Sequence, residues 1–233
     1  MKTFTRLSLA SVVLLAGCAT TNVTSSPSDM GGARLAKPDR ILVYSFAASA
    51  SDLPPEERAE FVGDPMTPPP PAQLAAGRQL GAKVAERLVE EINDMGMKAE
   101  VADRSTPVHV GDIVIHGHFE SIDEGSAAKR VVIGFGSGKA ELKTVVTGYV
   151  ATHDGLRRVG GGTVDSGGGK GPGLFVPVIV TAATANPIGL IVGAAAKIEG
   201  QASGRTTIDG AAKRTADAIA ERMKTRFEQE DWI

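Results

Sequence analysis

His116, His118 and Glu120, in the stretch "DIVIHGHFESID", stand at alternate positions and would project from one face of a strand. Two imidazoles and a carboxylate at that spacing, helped by His109, are a set that can hold a divalent metal. Against that use, no third histidine is near in sequence, and the same strand must place Phe119 in the core. The stretch therefore reads as a solvated polar face, and no metal ligand is assigned. Just downstream, Asp123, Glu124, Lys129 and Arg130 flank a glycine series. Paired carboxylates can exchange protons with a substrate, but a polar turn closed by one Arg–carboxylate bridge is the commoner use of these residues. A Gly-x-Ser-x-Gly elbow is absent from the chain, and no catalytic residue is assigned.

The glycine series itself, "RVVIGFGSGKAELK" over 130–143, invites a nucleotide reading. A Walker A loop needs four residues between its first glycine and the Gly-Lys pair, then Ser or Thr for Mg²⁺. Gly134 and Gly138 enclose three, and Ala140 stands where the hydroxyl belongs. A Rossmann series would continue with a small residue three places beyond Gly138, and that residue is Glu141. Both motifs also seat phosphate on the N-terminus of a following helix, whereas "AELKTVVTGYV" alternates like a strand. No nucleotide and no other cofactor is expected. Glycines at alternate positions instead mark a sharp bend or a close backbone approach.

The elements that must position these residues are legible from periodicity. "RILVYSFAA" (40–48) is apolar on both faces, as suits a strand covered on two sides. Residues 49–71 hold seven of the thirteen prolines, which predicts a surface excursion without regular elements. From Ala72, the residues Leu74, Gly77, Gly81, Val84, Leu88, Ile92 and Met95 share one helical face, with Gly96 as its stop. Glycines on that stripe lower helix propensity and imply close approach of the helix to a sheet. "MKAEVAD" (97–103) is a short strand; "DIVIHGHFESID", "KAELKTVVTGYVAT" and "LRRVGGGTVD" read as antiparallel strands with a turn at His153-Asp154-Gly155. An amphipathic helix closes the chain over about 208–230. The fold class is α/β in the α+β sense: a mixed, largely antiparallel sheet with flanking helices, in the order β-α-β-β-β-β-α.

The address is written at the other end. In "MKTFTRLSLASVVLLAGCAT", Lys2 and Arg6 precede an apolar run too short to cross a bilayer, which is the pattern of a secretory signal. Leu15-Ala16-Gly17-Cys18 resembles the bacterial lipobox, which implies cleavage before a lipid-modified Cys18. Cys18 is the only cysteine, so the mature chain would have no thiol for disulfides, metal or catalysis. Two or three acyl chains hold a protein stably on a membrane, and Ala19 after the cysteine resembles the outer-membrane sorting pattern. The expected organisation is a lipoprotein signal peptide (1–17), a flexible lipidated tether (18–39) rich in Thr, Ser, Asn, Pro and Gly, and a single periplasmic domain (40–233). Losing Lys2 and Arg6 leaves 23 of the 25 basic residues against 27 acidic ones, a net charge of about −4. A mildly acidic chain without a basic run, with only seven Phe, two Tyr and one Trp, argues against nucleic acid as a partner.

Gly117-His118-Phe119, Ile122-Asp123-Glu124-Gly125, Lys129-Arg130 and Ile133-Gly134-Phe135-Gly136-Ser137-Gly138 together resemble the signature of the domain-of-unknown-function 4410 family, a group of bacterial lipoproteins. The resemblance runs from about Ile41 to the terminal helix. It implies class and address and carries no chemistry. On it, Asp123, Gly125, Arg130, Gly134, Phe135, Gly136 and Gly138 form the candidate interaction loop, beside Cys18 as the lipid-attachment site.

Residues 171–196, "GPGLFVPVIVTAATANPIGLIVGAAA", contain no charge. Their length nominally spans a bilayer, but Pro177 and Pro187 interrupt them. Core cover, an interface using the Gly189–Gly193 small-residue spacing, and membrane insertion all remain open. The functional expectation is a lipid-anchored cell-envelope protein on the periplasmic face of the outer membrane, with a non-catalytic accessory or assembly role through protein–protein binding. Its partners would be the membrane through the anchor, and another envelope protein or a second copy of itself. The alternative is an envelope hydrolase or a small-ligand or lipid-binding protein.

Overall fold

The computed structural model describes residues 21–26, 34–61, 70–123, 140–166 and 207–233. Among these, six strands form one mixed sheet: β1 (Asn22–Ser26), β2 (Ile41–Tyr44), β3 (Ala99–Ala102), β4 (Ile113–Asp123), β5 (Glu141–Thr152) and β6 (Gly155–Asp165), in the spatial order β1-β6-β5-β4-β2-β3. Three pairings are antiparallel (β1/β6, β6/β5, β5/β4), and β2 lies parallel to both β4 and β3. Helix α1 (Pro71–Asp94) connects the parallel strands β2 and β3, and α2 (Ile208–Gln229) ends the chain. The α+β class and the order read from the sequence hold, with β1 added in front.

Both helices pack on the same face. Ile41, Val43, Ile113, Ile115, Phe119 and Leu142 from the sheet meet Leu80, Val84, Leu88 and Ile92 of α1 and Ala212, Ala216, Ile219 and Phe227 of α2. The alternate residues Leu42, Ala102 and Val114, with Tyr44 and Tyr149, form a smaller apolar cluster on the other face. This is why "ILVY" is apolar on both sides: Ile41, Leu42 and Val43 are all fully buried.

The helix boundaries follow their chemistry. Pro71 starts α1 at the position where a missing N–H costs nothing. Gly96, at φ +81°, turns the chain out after it. Thr207 caps α2 by accepting the Gly210 N–H at 3.1 Å. The two-residue His153-Asp154 loop joins β5 to β6, as the turn signal implies.

Two expectations need correction. The Pro-rich excursion contains regular turns, 3-10 helices at Ala50–Asp52 and Pro55–Glu60, because Pro54 and Pro55 supply the φ such turns need and Asp52 accepts from the Ser49 N–H and hydroxyl. Part of the stretch read as tether is built into the domain as well. Val23↔Val164 and Thr24↔Thr163 belong to a five-residue ladder of β1 on β6. Leu35 is held at the C-terminus, its N–H donating to Glu230 Oε2 at 3.0 Å and its carbonyl accepting from the Trp232 indole at 3.2 Å. Composition misled here because Thr, Val and Ser suit an edge strand as well as a linker.

Candidate functional site

Strand β4 carries the residues whose spacing suggested chemistry, and it does place His116 and His118 on one face, the face away from the helices. That face is not solvated. His116 is 8% exposed and His118 5%, because the Pro-rich excursion returns across them. His116 Nδ1 lies 2.5 Å from Glu57 Oε1 in the second 3-10 turn, and the Phe61 ring, just beyond that turn, sits 5.4 Å from the His118 ring. Tyr44 meets His116 edge-on at 4.8 Å between ring centroids, and Tyr149 flanks the same imidazole at 5.6 Å. Burial, followed by the nearby Asp103 carboxylate, pushes the Tyr44 phenol above its ordinary value. The arrangement is a small aromatic pocket closed over one histidine–carboxylate pair.

The other members of the supposed metal set are elsewhere. β4 carries a bulge between Phe119 and Ser121, and Glu120, the extra residue, pairs with Lys143. The bulge shifts the alternation by one, so that Ile122 rejoins Phe119 on the helix-packed face. His109 precedes the strand and lies with Arg40 and Asp112, its Nδ1 2.8 Å from Arg40 Nη2. Among the described residues no group of three His, Cys, Asp or Glu side chains is placed to share a metal ion.

Arg40 is the centre of a second polar cluster. It grips Asp112 through Nε and Nη2 at 2.8–3.2 Å, Glu100 through Nη1 at 2.8 Å and the Pro107 carbonyl at 2.5 Å. Asp112 is 3% exposed. Burial alone would raise its carboxyl, but the hydrogen bonds from Arg40 and from the His109 N–H, with the Arg40 charge, hold it below the usual aspartate range. These groups are saturated by one another, and they tie the starts of β2, β3 and β4 together.

On the helix-packed side, a cavity of about 440 Å³ lies between the C-terminal half of α2 and the β1-β6-β5 part of the sheet. Its walls are mainly apolar, from Val23, Val146, Val159, Ile219, Met223 and Phe227, and Arg222 and Arg226 border it. The space exists because the floor has few side chains: Gly148 and Gly160 face each other across β5 and β6, with Gly162 beyond. The size falls within the ~300–1,000 Å³ range of small-ligand sites.

The glycine loop reads differently from a phosphate site on the residues that flank it. Asp123 ends β4, and strand β5 follows Ala140, so the element after the loop is a strand with no helix N-terminus to receive an anion. Gly125, Arg130, Gly134, Phe135, Gly136 and Gly138 lie outside the described residues, as do Cys18 and the charge-free segment 171–196. Sequence reasoning missed Glu57 and Phe61 entirely. Only their contacts across some sixty residues of chain separation single them out.

The profile of a domain of unknown function, DUF4410, matches residues 41–185. The chain belongs to this family. The match runs from Ile41, where the sequence resemblance begins, to residue 185, ahead of α2. A search of curated proteins returns no match. Among solved structures, the chain is similar to two PelC dodecamers from Paraburkholderia phytofirmans, one of them a single-substitution variant. Each is 14% identical over 64% of this chain and 82% of that chain, with TM-scores of 0.38 and 0.37. Likeness at that level carries no inference about assembly or activity for this DUF4410 member. No helix among the described residues is long and apolar enough to cross a membrane.

Proposed function

We propose that this DUF4410 member is a lipid-anchored cell-envelope protein, held on the periplasmic face of the outer membrane, that works by binding other proteins and not by turnover. The observation that carries the anchoring is the single cysteine, Cys18, placed at the end of a short apolar run in Leu15-Ala16-Gly17-Cys18. The binding role is supported by how the described polar groups are used: His116 is engaged with Glu57, Asp112 with Arg40, and Glu120 with Lys143. Such groups hold the fold together and leave no acid–base pair facing an open cleft among the described residues. The partner is an envelope protein or a second copy of the chain.

Expression of the full chain and of Cys18→Ala in a Gram-negative host tests the address. The wild type incorporates labelled palmitate and fractionates with the outer membrane, whereas Cys18→Ala keeps its signal and takes no label. Equal labelling of both refutes the anchor. Crosslinking of the lipidated protein in cells, followed by mass spectrometry, tests the binding role. Discrete crosslinks to one envelope protein or to itself are expected.

The cavity under α2 favours a second reading, carriage of an apolar ligand. Native mass spectrometry of the purified protein would then show a co-purifying alkyl amphiphile, which Met223→Trp should exclude by filling the space.

A further inference from the structure

We propose that the domain stands on the bilayer by one particular end of its sheet, the end formed by the start of β1, the end of β4, the start of β5 and the end of β6. The strand register defines that end. Asn22 pairs with Asp165, Asp165 with Lys143, and Asp123 with Glu141, so four strand termini lie side by side. The inference rests on the lipid-anchored reading of Cys18 and adds to it which surface meets lipid.

The length of chain between anchor and sheet carries the argument. Composition suggests a long leash, but β1 begins at Asn22, with only residues 19–21 between it and Cys18. Four Cα-to-Cα steps reach at most about 14 Å. Strand β5, with 12 residues, is about 37–40 Å long, so the leash is far shorter than the sheet. The end bearing Asn22 is therefore confined to the bilayer surface, and the β5–β6 turn at His153-Asp154 belongs to the far end.

Two further features share this polarity. Strand β6 ends with Asp165 at the anchored end, and the sequence that follows it contains the 26 charge-free residues 171–196. The longest charge-free stretch of the sequence is thus joined to the end nearest the lipid. The far end holds the charged cluster of Arg40, Glu100 and Asp112, of which the Glu100 side chain is exposed to solvent. The surface that meets the membrane is a phospholipid-facing one, and any protein partner has the opposite end and the outer sheet edge of β3 to bind.

Site-specific depth measurement tests this on the mature, full-length lipoprotein in phosphatidylethanolamine–phosphatidylglycerol vesicles. In the lipidated chain the Cys18 sulfur is a thioether, so one introduced cysteine is the only free thiol. Ser121→Cys marks the anchored end and His153→Cys the far turn; both positions are exposed. With an environment-sensitive fluorophore on each, quenching by spin-labelled lipid should be several-fold stronger at 121 than at 153, with a water-soluble quencher giving the reverse order. Equal quenching at both sites, or stronger lipid quenching at 153, overturns the orientation. The mass of the mature chain separates the two failures. A lipidated chain with the wrong quenching order refutes the orientation alone, whereas a chain lacking the diacylglyceryl and acyl mass refutes the anchor and the orientation together.

Discussion

The carbonyl oxygen of Phe46 lies 2.0 Å from the point where a Cβ on Gly81 would stand. Helix α1 touches the backbone leaving β2 at this point, and the Phe46 N–H donates to the Gly81 carbonyl at 3.2 Å. The Phe46 ring uses a second glycine in the same way, since a Cβ on Gly117 would sit 2.3 Å from its Cε1. Phe46 is thus clamped between a helix glycine and a strand glycine, and this contact sets the distance between the two layers.

Gly81→Ala should therefore destabilise the protein although alanine is the better helix former. Backbone displacement of the overpacking kind costs ~1–3 kcal/mol, against ~1 kcal/mol gained in helix propensity, so a net loss of up to ~2 kcal/mol is expected in urea unfolding. Ala at Gly77, on the same stripe, provides the comparison. An unchanged or raised midpoint for Gly81→Ala would show that the close approach is not obligatory.

Glu57→Ala should cost ~1–3 kcal/mol, because it leaves the buried His116 Nδ1 without its partner. It should also loosen the 3-10 cover. Limited proteolysis within 49–61 should accelerate in the variant while the α1 and β4–β6 regions keep their protection in hydrogen exchange. Uniform loss of protection across the sheet would mean that the cover and the sheet fold as one unit.

The Arg40–Asp112 pair predicts an acid-sensitive component of stability. The Asp112 carboxyl is held below its ordinary value in the folded protein, so the unfolded state binds the proton more readily. The contribution is then complete above the unfolded aspartate value of about 3.9 and is lost as pH falls through the lower folded value. Asp112→Asn should be less stable at pH 7 and should show a flatter decline between about pH 4 and 2. Parallel pH profiles for the wild type and the variant would contradict the pair's role.

The glycines around the cavity should respond in opposite ways. A Cβ on Gly148 meets Ile115 Cδ1 at 3.4 Å and Val159 Cγ2 at 3.5 Å, which are ordinary contacts, whereas one on Gly162 would stand 2.0 Å from the Thr24 carbonyl oxygen. Gly148→Ala should be neutral or stabilising by up to ~1 kcal/mol. Gly162→Ala should push β1 off the sheet, detected as faster amide exchange across 22–26 with little change in α1. The same ranking for both variants would show that β1 packing does not depend on this approach.

Local pattern was sufficient for much of the fold. The period of Leu74, Gly77, Gly81, Val84, Leu88 and Ile92 located α1 and its buried face, and the alternation in 140–152 separated β5 from a phosphate-loop helix, because side-chain periodicity depends only on neighbours along the chain. The glycines of that stripe also implied a close approach of the helix to the sheet, which Gly81 makes at the backbone of Phe46. What the sequence left undetermined was every relationship that depends on residues far apart. The alternating histidines read as a wet face because nothing local says that Glu57 and Phe61 return to cover them. Residues 22–26 read as tether because an edge strand is stabilised by its ladder to β6, some 140 residues away, and not by its own composition. The bulge at Glu120, which turns Ile122 back into the core, is likewise a property of the pairing with β5. Strand order, and with it the gathering of four strand termini beside the proposed anchor, was decided by tertiary structure alone, since hydrogen bonds between strands join residues that no local signal connects.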